Sequence, residues 1–556
     1  EDRNILENYY ITGDLDLLDS EREWFFDKES NELYVWLENN ANPNQASIKV
    51  RGYTDKEHQT DSDRILKVYG SSHIKFDGIT VQTGSFYLLG SHNLVFENSK
   101  FLYSGHHKQM LGADINNAKG DYENYVNIYG NETGGAGGLK NRNNDASLTW
   151  RRCEFANSYS LLLYLGRGGS NYLVEDCYFH NKPHGGGMLW CAGVNDGNIV
   201  RHSTFHTGGW GGMGKFGNNL AQQGGQALAE FNRIYDFHFH GDDSGIQLNR
   251  GNVMGVTLRN NWIHDMPGRN AIRFDGDPAG MGGTVNNNVL TGSKRGTRLK
   301  GDLHTVASNT VFGNTHMDIN VAHDKFYGFT EGYDPAVDGI VRPTAENNYF
   351  NVYDYRAEGR RGSAAKLGNK HSIAVNNAGN HDSYPFEYET PGIQANSTTR
   401  SRGNILQSEL RDPENFDFRL KNGSRLIDAG VEQAGITDGF LGSAPDIGAY
   451  ESGDLNYWIP GHRTEKARSP IPYDLSPRAR PTSDLIWLEG IDAIKHRIYL
   501  GNDPSGTTST AQNNVAVGIT ALDAITTGDD NVAVGRYALT ANTSGSSNTA
   551  SGSGAL

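Results

Sequence analysis

Val174-Glu-Asp-Cys-Tyr-Phe-His180, Val200-Arg-His-Ser-Thr-Phe-His206, Ala229-Glu-Phe-Asn-Arg-Ile-Tyr235, Leu258-Arg-Asn-Asn-Trp-Ile-His264, Val285-Asn-Asn-Asn-Val-Leu-Thr291 and Val306-Ala-Ser-Asn-Thr-Val-Phe312 are six versions of one pattern. Each opens on an aliphatic residue and carries a small polar group in its fourth position: Cys177, Ser203, Asn232, Asn261, Asn288 and Asn309. Ser99 and Cys153 upstream, and Asn348 downstream, fit the same column. From Cys153 onward successive members lie roughly 21 to 39 residues apart, too irregular for a leucine-rich repeat, and no helical period fills the gaps. The pattern predicts a coil of parallel strands in which each turn adds one rung about 4.8 Å above the last. Equivalent asparagines then stack as a hydrogen-bonded ladder. Cys153 and Cys177 read as small buried residues of that ladder rather than redox or metal groups.

Composition supports the coil. Glycine is 69 of 556 residues and asparagine 54, while proline is only 16. Glycine and asparagine both tolerate positive φ, the conformation tight turns need. Collagen and proline-rich disorder are excluded. The net charge of −15 disfavours a phosphate-backbone partner, so no nucleic acid is expected. No apolar run approaches the ~18 residues that would span a bilayer, so membrane insertion is not expected. Three cysteines without a CxxC pair suggest neither a disulfide framework nor zinc.

The flanks differ from the repeats. Glu23-Trp-Phe-Phe-Asp27 followed by Leu33-Tyr-Val-Trp36 predicts a β-hairpin. Asp417-Phe-Arg-Leu420, Ser424-Arg-Leu-Ile-Asp-Ala-Gly430 and Pro445-Asp-Ile-Gly-Ala-Tyr-Glu451 read as a closing segment that hides the terminal rung. A second repeat follows. Asn514-Val-Ala-Val-Gly518, Asn531-Val-Ala-Val-Gly535 and Asn548-Thr-Ala-Ser-Gly552 are each 17 residues apart. The chain stops on a repeat boundary, and more sequence is expected after it in the precursor. The expected organisation is an N-terminal β segment over 1–60, a parallel β-helix over 61–400, a closing segment over 401–452, a linker or arm over 453–500, and repeats over 501–556.

The ladder pattern over about residues 60 to 400 resembles the right-handed parallel β-helix proteins of the pectate-lyase-like superfamily. The resemblance implies an all-β solenoid, a polysaccharide partner and an extracellular or cell- or virion-surface location. Both flanking segments resemble those of secreted β-helix carbohydrate-active proteins. The 17-residue repeats resemble those of phage tail fibres and trimeric adhesin heads, which implies a homotrimer.

Chemistry is expected on the strand that follows each ladder segment. Met213-Gly-Lys-Phe216, Gly245-Ile-Gln-Leu-Asn249, Ala271-Ile-Arg-Phe-Asp275, Thr297-Arg-Leu-Lys300 and Met317-Asp-Ile-Asn320 align. Alternation sends Ile246, Leu248, Ile272, Phe274, Leu299 and Ile319 inward. It sends Lys215, Gln247, Asn249, Arg273, Asp275, Arg298, Lys300, Asp318 and Asn320 outward, a charged face suited to an acidic or polyhydroxyl polymer. A self-paired, solvated charge face is the plain alternative. His240-Gly-Asp242-Asp243 precedes one of these strands and resembles the Gly-Asp-Asp edge of polygalacturonase-type glycosidases, with Arg298-Leu-Lys300 two rungs on. That family's Asn-Thr-Asp and Gly-His-Gly rungs are absent. Asp275 would be the second carboxylate of an inverting hydrolase. A turn or a calcium site is the other reading of Asp242 and Asp243; otherwise no cofactor is required and no metal is expected. Elimination is the second chemistry, and here the resemblance implies Lys and Arg on neighbouring rungs: Arg273 with Lys300 or Lys215. Trp190 and Trp210 sit among glycine runs, where an exposed indole would stack on sugar. The expected function is polysaccharide binding and cleavage by a tailspike-like depolymerase, lyase or hydrolase. The alternative is a non-catalytic fibre subunit.

Overall fold

The computed structural model describes residues 14–48, 64–104, 131–133, 144–322, 373–379, 394–395, 406–493 and parts of 515–555, each apart from short gaps. Among them the chain is all-β. Three long sheets of 11, 10 and 10 strands are parallel throughout, and each strand pairs with its equivalent one turn away. One turn runs from Leu173–Glu175 in the first sheet to Tyr178–Lys182 in the second and Gly187–Ala192 in the third. It returns to the first sheet at Asn198–Arg201. This is a right-handed parallel β-helix solenoid, the hand a parallel crossover of right-twisted strands prefers.

The turn between the first and second sheets has a constant form because one residue adopts positive φ on every rung. Asn98, Arg152, Asp176, His202, Phe231, Asn260, Asn287, Ser308 and Asn376 hold it, with φ between 46° and 54°. The ladder residue comes next. Asn232, Asn261 and Asn288 each accept at Oδ1 from the backbone N–H one rung earlier, at 3.0 Å. Each donates Nδ2 to a carbonyl beneath it. The column continues from Asn309 to Asn377, at 3.1 Å. The next member after Asn309 is therefore Asn377 and not Asn348, which the sequence pattern suggests and which lies outside the described residues.

Inside the coil, like residues stack. Phe101, Phe155, Phe179 and Phe205 form one file with ring centroids 4.6–4.9 Å apart. Ile234, Ile263, Leu290 and Val311 extend it in register. Each such side chain contributes about 2–3 kcal/mol through burial. Cys153, Cys177 and Cys191 are buried free thiols.

Residues 406–488 do not sit over an end of the coil. They lie along the outer face of the second sheet, because that face carries large apolar groups needing cover. Trp262, Val289, Phe312 and Ala378 form one apolar cluster with Phe418, Leu426, Ile447 and Tyr450. Trp262 Nε1 donates to the Tyr450 hydroxyl at 2.7 Å. Arg463 grips Asp176 with two bonds of 2.8 and 2.9 Å, and Asn376 bonds both polar groups of Val431. At the N-terminus Trp24–Asp27 pairs antiparallel with Glu32–Val35, the expected hairpin.

A second compact unit comprises Glu465–Ala467 and Glu489–Leu556. In it Val515–Val517, Val532–Val534 and Thr549–Ser551 pair in parallel, 17 residues apart, around a small core of Ala533, Ala538, Leu539 and Ala550. Asn548 donates its backbone N–H and Nδ2 to Asn531 Oδ1 at 3.0 and 2.9 Å, so this repeat has a ladder of its own.

Candidate active site on the third sheet

The outward faces of the three sheets differ in chemistry. On the first, Glu97, Arg151, Glu175 and Arg201 alternate in register and pair with one another at 2.6–3.4 Å. That face is neutralised internally. On the second, His180, His206, Tyr235 and His264 stack at 4.9–5.6 Å, and His462 of the closing segment stacks on neighbouring Tyr178 at 4.3 Å. Burial holds the imidazoles of His206 and His264 down to about 4, so both are neutral near pH 7.

The third sheet is where connection length varies. Turns between the first and second sheets are fixed by the ladder, while sequences of very different length join the third sheet to its neighbours. Its strands Ser244–Asn249, Met266–Asp275 and Ser293–Lys300 are consecutive neighbours. Gly245 marks the tight corner entering the first of these: a Cβ there would lie 2.6 Å from the Ala271 carbonyl oxygen. Ile246, Leu248, Ile272, Phe274 and Leu299 point inward, and all are buried. Outward, Gln247, Arg273 and Arg298 stand in register on three rungs.

Asp275 is the centre of the charged groups. Its carboxylate accepts from Arg273 of the same strand and from Lys300 Nζ on the next rung, the latter at 2.7 Å. Arg273 is only 6% exposed. Arg295, paired in register with Asn270, completes the cluster. Burial first, then the like charges of Arg298 and Arg273, lower the Arg295 guanidinium from its ordinary value. Four cations thus gather on two adjoining rungs, two of them, Arg273 and Lys300, paired with Asp275, on a chain whose net charge is −15. Such a surface attracts anionic ligands strongly because its groups are partly desolvated.

The predicted residues fall into three sets. The structure brings Arg273, Asp275, Arg298 and Lys300 together, with Gln247 buried beside Arg273. Lys215 and Asn249 are on described strands, but their side chains lie outside what is described; Met213 pairs with Ile246, so Gly214 and not Lys215 stands in the row of Gln247. Trp210, His240, Asp242 and Asp243 lie outside the described residues altogether. Three expectations are corrected. Asp318 is fully buried, not outward, and accepts from Asn314 Nδ2 at 2.8 Å. The last aligned strand begins later than predicted: Leu299 pairs with Val321, while Ile319 lies near Thr297 through the Thr297 N–H to Asp318 carbonyl bond. Trp190 belongs to a strand rather than a glycine-rich loop. Arg295 was not legible, because an irregularity between Met266 and Asn270 shifts the register that places it. Among the described residues no group of three or more His, Cys, Asp or Glu could hold a metal ion.

Comparison with known proteins follows the same lines. Residues 138–316 match the family described as right handed beta helix region. Pectate lyase L of Dickeya chrysanthemi is 27% identical over 215 residues, which is 35% of this chain and 42% of that protein. Pectate lyase L of Dickeya dadantii (strain 3937) is 26% identical over the same shares. The match spans less than half the length of these curated relatives. The crystal structure of pectate lyase Pel9A aligns with a TM-score of 0.38 and 17% identity, covering 67% of this chain and 82% of that one. By fold and by the segment matched, this chain is a right-handed parallel β-helix protein similar to pectate lyases.

Proposed function

We propose that this chain cleaves an acidic polysaccharide by β-elimination on its third sheet. The observation that carries the reading is the group of Arg273, Arg295, Arg298 and Lys300 on two adjoining rungs, in which Asp275 pairs with Arg273 and Lys300. Elimination from a uronate needs positive charge on the carboxylate, so that the C5 proton becomes acidic, and a base to remove that proton. The C4–oxygen bond then breaks, a C4–C5 double bond forms, and the leaving oxygen takes a proton. Arg273 and Arg298 are suited to neutralise the carboxylate, and Asp275 to position Arg273 and Lys300; Lys300, in its neutral amine form, takes the C5 proton and the leaving oxygen takes one in turn, so that the step balances. Hydrolysis needs one carboxyl as acid and another as base. Asp275 accepts from two cations, which disfavours it as a proton donor. The similarity to pectate lyases supports the same direction.

No cofactor is invoked for these steps. Calcium held by Asp242 and Asp243 is the one ion to test, with a chelator. We extend the proposal to context: a surface or virion-borne depolymerase in which the 17-residue repeats assemble three chains. Incubation with polygalacturonate, alginate and hyaluronan tests the chemistry. The reading expects new ultraviolet absorbance from an unsaturated uronate, reduced at least about a hundredfold in Lys300→Ala and Arg273→Ala. New reducing ends without that absorbance would mean hydrolysis. Binding without cleavage would favour the fibre reading.

A further inference from the structure

The outward row that carries the cations does not end with them. Followed toward the N-terminus, Arg298, Arg273 and Gln247 are succeeded by Gly214, then Trp190, then Tyr164. Two glycines shape this stretch. A Cβ on Gly214 would lie 2.3 Å from Trp190 Nε1 and 2.6 Å from its Cδ1, and one on Gly187 would lie 3.1 Å from the same nitrogen. The Nε1–Cδ1 edge of the indole therefore occupies the space over Gly214 and Gly187 that a side chain at either position would fill. Behind it, Tyr164 and Leu161 form a small apolar cluster of which Trp190 is the half-buried member. The first sheet offers no such row, since its outward residues pair with each other. The second sheet's face is covered by the closing segment.

We infer that Trp190, laid over Gly214, is a sugar-stacking platform, and that the polysaccharide runs along the solenoid axis from Trp190 to the Arg273–Lys300 cluster. This rests on the function proposed above. An aromatic ring can present an apolar face to the C–H face of a pyranose, and the two glycines leave room for the indole beside the strand. Adjacent rungs are about 4.8 Å apart, close to the advance of one sugar unit in an extended chain. Trp190 is three rungs from Arg273, so the platform engages a unit remote from the bond that breaks. Its contribution is to binding, common to ground and transition states.

The test uses the full chain with polygalacturonate, alginate and hyaluronan as probes. In Trp190→Ala, KM for the polymer cleaved is expected to rise roughly tenfold with kcat unchanged, and Trp190→Phe should restore most of it. Gly214→Ala keeps the indole but displaces it, and should raise KM likewise while thermal stability stays near wild type. Polymer should quench tryptophan fluorescence in wild type and in Lys300→Ala, and less in Trp190→Phe. If the polymer is bound but not cleaved, a quench lost in Trp190→Phe upholds the platform while the elimination reading fails. Unchanged KM and quenching in Trp190→Ala and Gly214→Ala would overturn the platform alone. No binding to any probe would overturn both.

Discussion

Asn261 shows how one residue holds two rungs. It is fully buried, accepts from the backbone and side chain of Asn232, and donates to Asn288 Oδ1 and the Ala229 carbonyl. Asn261→Ala leaves those buried groups unpaired, and each such loss costs about 1–3 kcal/mol. Chemical denaturation should show a loss of about 3 kcal/mol or more, against well under 1 kcal/mol for an exposed asparagine such as Asn44. The ladder was legible in sequence because its residue type is fixed by a repeated hydrogen-bonding need. Arg273, Asp275, Arg298 and Lys300 were legible for a related reason, since alternation from buried Ile272, Phe274 and Leu299 fixes their side. Arg295 was not, because a local irregularity breaks the alternation that would have placed it. Asp318 was misplaced because its strand pairs two residues later than the sequence pattern suggests, Leu299 meeting Val321 and not Ile319.

The segment over residues 406–488 is an element whose type was legible and whose position was not. Its contacts join residues as far as 287 apart in sequence, such as Arg463 and Asp176, and no local pattern encodes them. It also sets a pH dependence. Burial lowers His202, His206 and His264 to about 4 and His462 to about 2. A base held neutral in the folded state binds fewer protons than when unfolded, so its stabilisation is lost as pH falls below about 6.5. Glu451 acts in the opposite sense. Burial raises it to about 7, so the folded state takes up its proton first and gains stability on acidification. Asp446 is raised too, also chiefly by burial. Four histidines outweigh these two carboxyls, and the melting temperature should fall between about pH 7 and about pH 5. A flat or rising melting temperature over that range would show the imidazoles to be solvated, with the segment not packed on the second sheet. Glu451→Gln should steepen the fall, since it removes the opposing group.

At the scale of the molecule, two coils of different period share one chain. The larger has a core of stacked aromatic and aliphatic files, while the smaller buries Ala533, Ala538, Ala550 and Leu539. So thin a core gains most by joining copies of itself. Light scattering of the full chain should give three times the monomer mass, and truncation after Leu488 should return it to one; a monomeric full chain would contradict the trimer. Charge separates by scale as well. The whole chain is at −15, the first sheet's face is paired within itself, and the third sheet carries four cations on two adjoining rungs, two of them paired with Asp275. That local excess is the basis for assigning an acidic polymer and an eliminative cleavage. Mass spectrometry of the fragments released from a defined acidic oligosaccharide tests this most directly. The account predicts fragment pairs whose masses sum to the parent, one bearing the double bond, and no such pair from Lys300→Ala. Fragment pairs that together exceed the parent by one water would contradict it.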